Sequence, residues 1–395
     1  MVTPIVLVLD GEQRSALAVV RSLGSRGCAV HVGSCVARSI AGGSRFALSE
    51  SILPDPLAGT DAYAAAVAQL AADRQAEVII PVTEGSTLAL LERGTLPDGV
   101  RIPTSDLEHF RRASDKAAVL ALAANLGIAV PRQWTIAGRE PAQEIPPDQF
   151  PVVIKPSRSV VGSDSGRRKL GVSYAGSPEA LRVVIDNLGV EAGPILVQSR
   201  IEGPGLGVFL LRWGGEIVAS FAHRRIREKP PSGGVSVCCE SVALSPELLA
   251  RSVSLLEALD WSGVAMVEFK HDIRTGRDYL MEINPRFWGS LQLAIDAGVD
   301  FPWYLVEVAL GRRIETVDRW RIGARSRWCW GDVDHLIARL RHSRAALDLP
   351  GNAAGVLRTA LSVLTPWRPR QRSDVFRISD PVPALRETIA WIRAL

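Results

Sequence analysis

Cysteine is scarce and irregularly spaced in this chain. Its five cysteines, Cys28, Cys35, Cys238, Cys239 and Cys329, form no CxxC pair. That excludes a disulfide framework and argues against a structural zinc site, so a reducing, cytoplasmic setting is expected. Neighbouring strand residues face opposite ways, so Cys238 and Cys239 read as core residues and not as a bonded pair. Long hydrophobic runs are missing too. No uninterrupted apolar stretch reaches about 18 residues, which argues against a spanning helix. The first residues, MVTPIVLVLDGEQ, lack a basic n-region and read as a first strand, not a signal peptide. The GxGxxG dinucleotide fingerprint is absent as well. The first turn reads DGEQRSA, so NAD binding is not supported. No long repeat is visible. Aromatics are only 6% of the chain, against 47% apolar and 22% charged residues. This ordinary globular mixture excludes wholesale disorder and collagen-like structure. The 395 residues leave room for several domains.

The net charge of +4 is modest but unevenly placed. Between Arg312 and Arg372 stand 13 arginines against 5 acids, a local +8, so the remainder sums to −4. The favoured reading packs this region, with its apolar stretch AAGVLRTALSVL, on the core as a helix. Contact with an anionic membrane surface is the lesser reading. Nucleic-acid binding is not expected, since no recognition motif accompanies the charge.

The first segment alternates strand and helix signals. Ile5 to Leu9, Cys28 to Val32 and Glu77 to Pro81 read as strands. Ser15 to Leu23 and the alanine-rich Asp61 to Ala72 read as helices. The pattern predicts a Rossmann-like parallel sheet with helices on both faces. A helix is predicted over Ser114 to Leu126, with Ser114 as its cap. The proline-rich Ala137 to Pro151 reads as a linker. Val152 to Ile154 is a buried-type strand ending in Lys155-Pro156, and the Ser-, Gly- and Arg-rich run Ser157 to Gly171 reads as a mobile loop. Ile195 to Gln198 is a short strand. Val208 to Trp213 and Glu216 to Ala222 flank Gly214-Gly215, the clearest hairpin signal. Val264 to Lys270 and Tyr279 to Asn284 are further strands. Trp288 to Leu310 reads as helical, and an amphipathic helix follows Pro383.

The pair GVAMVEFKHD and DYLMEINPRFWGS carries the chemistry. Side chains alternate along a strand, so Leu280, Glu282, Asn284 and Arg286 share one face, with Met281 and Ile283 on the other. Met266, Glu268 and Lys270 share a face of the partner strand. Natural pairing brings Glu268 near Glu282 and Asn284. Two carboxylates and an amide oxygen are hard ligands that suit Mg²⁺ shared with phosphate oxygens. Arg286 can hold a phosphate or carboxylate by a bidentate fork. Either glutamate alone would read as a solvent-facing residue. The string MEINPRFWGS is harder to dismiss, because polar groups among apolar neighbours need partners. The segment AHRRIREKPPSGG crowds His223, Arg224, Arg225, Arg227 and Lys229. It reads as an anion site for an acceptor carboxylate or for phosphates, with a solvated basic turn as the plain alternative. Trp288 and Trp303 read as packing residues, and Trp288 is close enough to wall a substrate pocket.

Four motifs in order resemble the ATP-grasp superfamily. SDKAAVLALAANLGIAVP resembles its opening helix, and VVIKPSRSV its central lysine strand and glycine-rich lid. ILVQSRIEGPG resembles the hinge. GVAMVEF with YLMEINPRFWGSLQLAIDAGVD resembles the C-terminal half. Within the superfamily the likeness is to predicted ATP-dependent carboxylate–amine ligases. The resemblance implies an N-terminal α/β domain over residues 1–112 and an ATP-grasp domain over 113–312. Its lid lobe would cover about 130–200 and its catalytic lobe about 201–312, with a basic C-terminal extension over 313–395 packing on the core. It further implies that Lys116 and Lys155 contact nucleotide phosphates and that Gln198 meets the adenine amino group. Ser199 and Ile201 would receive the base. Glu268, Glu282 and Asn284 would hold Mg²⁺ or Mn²⁺, and Arg286 would stabilise the transferred phosphoryl group. Glu202 is the nearest acid for the ribose, and the following GPGLG offers no other.

The expected activity is ATP-dependent amide or peptide bond formation through an acyl phosphate, joining a small carboxylate and an amine. A carboxylase or a small-molecule kinase on the same fold is the first alternative. A non-catalytic ATP-binding regulatory or scaffold protein is the second. A homodimer is left open.

Overall fold

The computed structural model describes residues 3–136, 145–163, 166–189, 193–344, 346–347, 349, 353–365 and 369–394. The linker reading of Ala137 to Pro151 falls in part outside them. The opening segment builds a parallel four-stranded sheet from β1 (Ile5–Val8), β2 (Ala29–Ser34), β3 (Ser49–Ile52) and β4 (Val78–Ile80), in the order β3-β2-β1-β4. Helices α1 (Arg14–Ser25) and α2 (Thr60–Arg74) connect strands of this sheet, and α3 (Glu84–Arg93) follows β4. Buried Asp10 ties the sheet to α3, accepting from the Val82 and Thr83 amides at 2.9 Å and from Ser86 Oγ at 2.6 Å.

Two helices follow, α4 (Leu107–Ser114) and α5 (Lys116–Asn125). The expected cap at Ser114 is corrected: Ser114 ends α4, and Asp115 caps α5 by accepting from the Ala118 amide at 3.1 Å. An aspartate accepts from that amide more readily than a serine already bonded back into its own helix, as Ser114 Oγ is to Phe110 O at 2.8 Å.

A small antiparallel sheet comes next, in the order β5-β10-β6-β9. Its strands are β5 (Gln133–Ile136), β6 (Val152–Pro156), β9 (Ser173–Ala175) and β10 (Ile195–Ser199), backed by α6 (Pro178–Leu188). The run read as a mobile loop instead forms a hairpin of β7 (Val160–Ser163) and β8 (Gly166–Lys169), paired in register from Val160 with Lys169 to Ser163 with Gly166. Gly162, at φ 116°, takes a conformation that side chains rarely adopt.

The large sheet holds seven strands in the order β15-β14-β11-β12-β13-β16-β17. They are β11 (Gly205–Trp213), β12 (Glu216–Lys229), β13 (Val235–Ser241), β14 (Gly263–His271), β15 (Asp278–Asn284), β16 (Arg325–Arg327) and β17 (Gln371–Ser373). Gly214 and Gly215, both at positive φ, make the β11–β12 turn as expected. Period-two alternation divides the packing. Phe209 and Leu211 join one core with α1, α8 (Leu291–Ala297) and α9 (Phe301–Ala309). Val208 and Leu210 join a second core with α4, α5 and α7 (Pro246–Ala258). The helical reading of Trp288 to Leu310 resolves into α8 and α9, broken at Gly298 with φ 112°.

The basic region is woven into this framework. Strands β16 and β17 extend the large sheet, α10 (Cys329–Arg341) packs on β12, and α11 (Val356–Leu364) packs on α10. The last helix, α12 (Val382–Arg393), stacks Trp391 on Trp330 with ring centroids 4.0 Å apart. Arg14 pairs with Asp374, and Arg21 with Asp380, so α1 is clamped to the segment after β17. Among the described residues no helix is long and apolar enough to cross a membrane.

Candidate active site

A cleft of about 340 Å³ opens between the small sheet and the large one. Its walls include Lys116, Lys155, Gln198, Ser199, Ile201, Arg225, Glu268, Glu282, Asn284 and Arg286. Of the residues nominated from the sequence, Glu202, Arg224, Arg227 and Lys229 do not line it.

The local chain explains how the two lysines meet. Asp115, besides capping α5, accepts from Ser157 Oγ at 2.5 Å and from Arg158 Nε at 3.2 Å, just past the end of β6. The Lys116 amide donates to Ser157 O at 2.9 Å. The start of α5 is thereby tied to the strand end that carries Lys155. Lys116 Nζ then reaches Ser159 Oγ at 2.8 Å and Glu282 at 3.5 Å. Lys155 is buried, and burial pulls its ammonium below the usual range against the field of Glu282 and Glu268. It makes no side-chain hydrogen bond or ion pair among the described residues.

The paired strands place Glu268 opposite Glu282 and Met266 opposite Asn284, as the sequence suggested. The expected face pattern fails at one point. A bulge between Glu268 and Phe269 leaves Met281 unpaired, so Met281 joins Glu282 in the cleft while Leu280 turns into the second core. Asn284 Nδ2 donates to Glu282 at 3.0 Å, and Arg286 Nη2 donates to Asn284 Oδ1 at 2.9 Å. Burial works to raise the Glu282 carboxyl, but Lys116, Lys155 and the Asn284 amide together outweigh it and hold it low. Burial dominates at Glu268 and raises it, with Arg225 opposing.

The segment around Arg225 departs from its reading as an anion site. Arg224, Arg225, Arg227 and Lys229 each meet a carboxylate, of Glu240, Glu268 with Glu228, Asp332 and Asp334 respectively. The path to Glu268 depends on glycine. Gly205 lies beside Arg225 in the β11–β12 register, and a Cβ there would fall 2.9 Å from Arg225 Cδ. Gly207 does the same for His223, whose Nε2 would be 2.9 Å from an added Cβ. Burial and Arg225 keep His223 neutral, and its Nδ1 lies 3.3 Å from Ser290 Oγ. Trp288 lines the cleft and packs on Phe209 at 4.2 Å.

Sequence reasoning missed Lys169, Lys270 and Tyr174. Lys270 shared a face with Glu268 and was there to be nominated. It donates to Ile201 O at 3.2 Å. Lys169 was hidden by the loop reading of its hairpin. Tyr174 Oη donates to Ser232 O at 3.2 Å, joining the small sheet to the β12–β13 connection, and no motif marked it. Glu84, at the start of α3, is raised by burial and lies in the opposing fields of Lys116 and Arg286.

Seven cations and three carboxylates line the cleft, a surplus that suits a polyphosphate. The buried, unpartnered Lys155 fits the same ligand, since an anion supplies what its ammonium lacks. Among the described residues no three His, Cys, Asp or Glu side chains converge on a metal position. Two carboxylates with an amide oxygen do fit Mg²⁺, which keeps waters and shares phosphate oxygens.

Residues 191–330 match the model of a family described as ATP-grasp in the biosynthetic pathway with Ter operon. The L-amino acid ligase of Bacillus licheniformis superposes with a TM-score of 0.61 over 79% of this chain and 75% of that one. Residues 191–330, about a third of the chain, are thus similar to an ATP-grasp family. The ligase is 16% identical, so its likeness to this chain is one of fold. The carbamoyl phosphate synthase large chain of Thermomicrobium roseum is 26% identical over 248 residues, 58% of this chain and 22% of that one. A putative D-alanine–D-lactate ligase of Streptomyces coelicolor is 29% identical over 143 residues, 34% of this chain and 37% of that one. The chain therefore spans about a fifth to two fifths of the length of these curated relatives.

Proposed function

We propose that this protein is an ATP-dependent carboxylate–amine ligase. A carboxylate oxygen attacks the γ-phosphorus of ATP, the bond to ADP breaks, and an acyl phosphate forms. The amine nitrogen then attacks the carbonyl carbon, phosphate leaves with the C–O bond pair, and the nitrogen loses a proton. The observation that carries this reading is the gathering of Lys116, Lys155, Glu282, Asn284 and Arg286 in one cleft.

Catalysis here is positioning and charge neutralisation. Lys116 and Lys155 hold phosphate oxygens, and Arg286 sits where charge develops on the transferred group. Gln198, Ser199 and Ile201 receive the adenine. Glu268, Glu282 and Asn284 are the residues that would hold Mg²⁺, which neutralises phosphate charge when bound. Arg225 fixes Glu268 in place. Glu202 remains the candidate for the ribose. Within this reading residues 1–112 form the Rossmann-like N-terminal domain and 113–312 the two ATP-grasp lobes. Residues 313–395 are the basic extension that completes the large sheet, and the setting is cytoplasmic.

A carboxylase is the second reading, favoured by the likeness of fold to the biotin carboxylase domain of Hydrogenobacter thermophilus 2-oxoglutarate carboxylase, at a TM-score of 0.63 and 18% identity. Incubation with ATP, Mg²⁺ and panels of carboxylates and amines separates the two. ADP release that needs both a carboxylate and an amine supports the ligase, and ADP release that needs bicarbonate supports the carboxylase. Nucleotide binding with no ADP release under any condition points instead to a regulatory protein.

A further inference from the structure

The fold absorbs only part of the basic region. Arg325, Arg327, Arg372 and Arg377 pair with Glu240, Asp332 and Asp296. Arg341, Arg358 and Arg370 are exposed and make no side-chain hydrogen bond or ion pair among the described residues. Residues 339–373 hold seven arginines and one acid, so the segment itself carries too few acids to answer the charge.

Helix α11 is anchored on one side only. Thr359 and Val363 are buried, Arg227 donates to Ser362 Oγ at 2.9 Å, and Arg327 donates to Val363 O at 2.5 Å. Leu357, Leu361 and Leu364, at i, i+4 and i+7, form a stripe on the other side and are 75%, 60% and 71% exposed. Leu340, in the last turn of α10, is 65% exposed.

We infer that α11 docks this protein on an anionic lipid surface. The leucine stripe enters the acyl boundary while the neighbouring guanidinium groups meet lipid phosphates. Lipid is the occupant that answers both features. A second copy would set arginine against arginine across a two-fold axis, and a nucleic acid would leave the leucines in water. A single short helix gives reversible attachment, strengthened by each cation near the surface. The inference stands apart from the catalytic reading, because none of these residues lines the cleft.

The test is co-sedimentation of the full chain with vesicles of phosphatidylcholine alone or mixed with phosphatidylglycerol. Binding to the mixed vesicles should exceed binding to the neutral ones by about tenfold or more and weaken with salt. Leu357→Ser with Leu361→Ser should abolish it at every salt concentration, and Arg341→Glu with Arg358→Glu should abolish it at low salt. All four positions are exposed, so both variants should melt with the wild type. Equal binding to neutral vesicles overturns the proposal, as does wild-type binding by the leucine variant. A dimer in solution that the leucine variant dissolves, with no vesicle binding, overturns it in favour of self-association. Binding to RNA but not to vesicles overturns it in favour of a nucleic-acid surface.

Discussion

Arg225 lies across β11 against Glu268, its Nη2 2.5 Å from the carboxylate and its stem running over Gly205. Two elements of the large sheet are thus joined through a gap that a missing side chain leaves open. The GPGLG run looks barren by its lack of an acid, yet its glycines carry the site. Gly205→Ala should push Arg225 off Glu268 and lower kcat by about tenfold with little change in melting temperature. Gly207→Ala is more severe, because its Cβ would fall 2.5 Å from the Phe209 ring inside a packed core. Its unfolding free energy should drop by about 1–3 kcal/mol, as urea denaturation would read.

Lys155 separates stability from function. Its ammonium is buried without a bonded partner, a cost that a thioether of similar reach does not carry. Lys155→Met should therefore raise the unfolding free energy, on the order of 1–2 kcal/mol, while weakening ATP binding by about tenfold or more. Calorimetry on one preparation reads both quantities. Equal ATP affinity in the two proteins would remove Lys155 from the phosphate site.

Tyr174 bridges the small sheet to the connection after β12 through Ser232 O. Gly233 beside it, at φ 135°, has room for the hydroxyl only because it lacks a Cβ, which would sit 2.7 Å away. Tyr174→Phe keeps the ring and loses the bond. The mutant should show several-fold more ADP release in the absence of amine, as water reaches the activated carboxylate. Unchanged leakage would make Tyr174 a packing residue.

Glu387 gives the molecule a pH signature far from the cleft. Burial, with Asp374 nearby, pushes its carboxyl up to about 7, although Trp328 Nε1 donates to it at 2.7 Å. The folded state therefore holds this proton more tightly than the unfolded chain does. Stability contributed by the neutral form is lost as pH rises from about 4.5 to about 7. Glu387→Gln keeps an acceptor for Trp328 and cannot ionise. The wild type should lose on the order of 1–2 kcal/mol relative to the variant across that window, after allowing for partial exposure. Parallel urea titrations at several pH values would read the difference.

Much of the site was legible because its residues fall in short strings with fixed spacing. Glu268, Glu282 and Asn284 sit on adjacent strands, and period two places them without knowledge of the rest of the fold. What stayed hidden depended on distant contacts. The bulge that turns Met281 into the cleft has no local signature. The hairpin Val160–Ser163 with Gly166–Lys169 lacks alternating hydrophobicity, so it read as loop. The ion pairs of Arg224, Arg227 and Lys229 join residues up to 105 positions apart, beyond any motif. The parallel sheet of the first segment was the easier part, since each βα step repeats the same local rule.

The clamp between α1 and the segment after β17 links residues about 360 positions apart. A chain emerging from the ribosome can form its first parallel sheet early, but the outer edge of the large sheet waits for the last strand. Until then β16 stays unpaired on one side, and the intermediate is open to edge-to-edge association. Folding should accordingly be slow for the chain's length and sensitive to chaperone supply, a burden set by topology and not by weak packing.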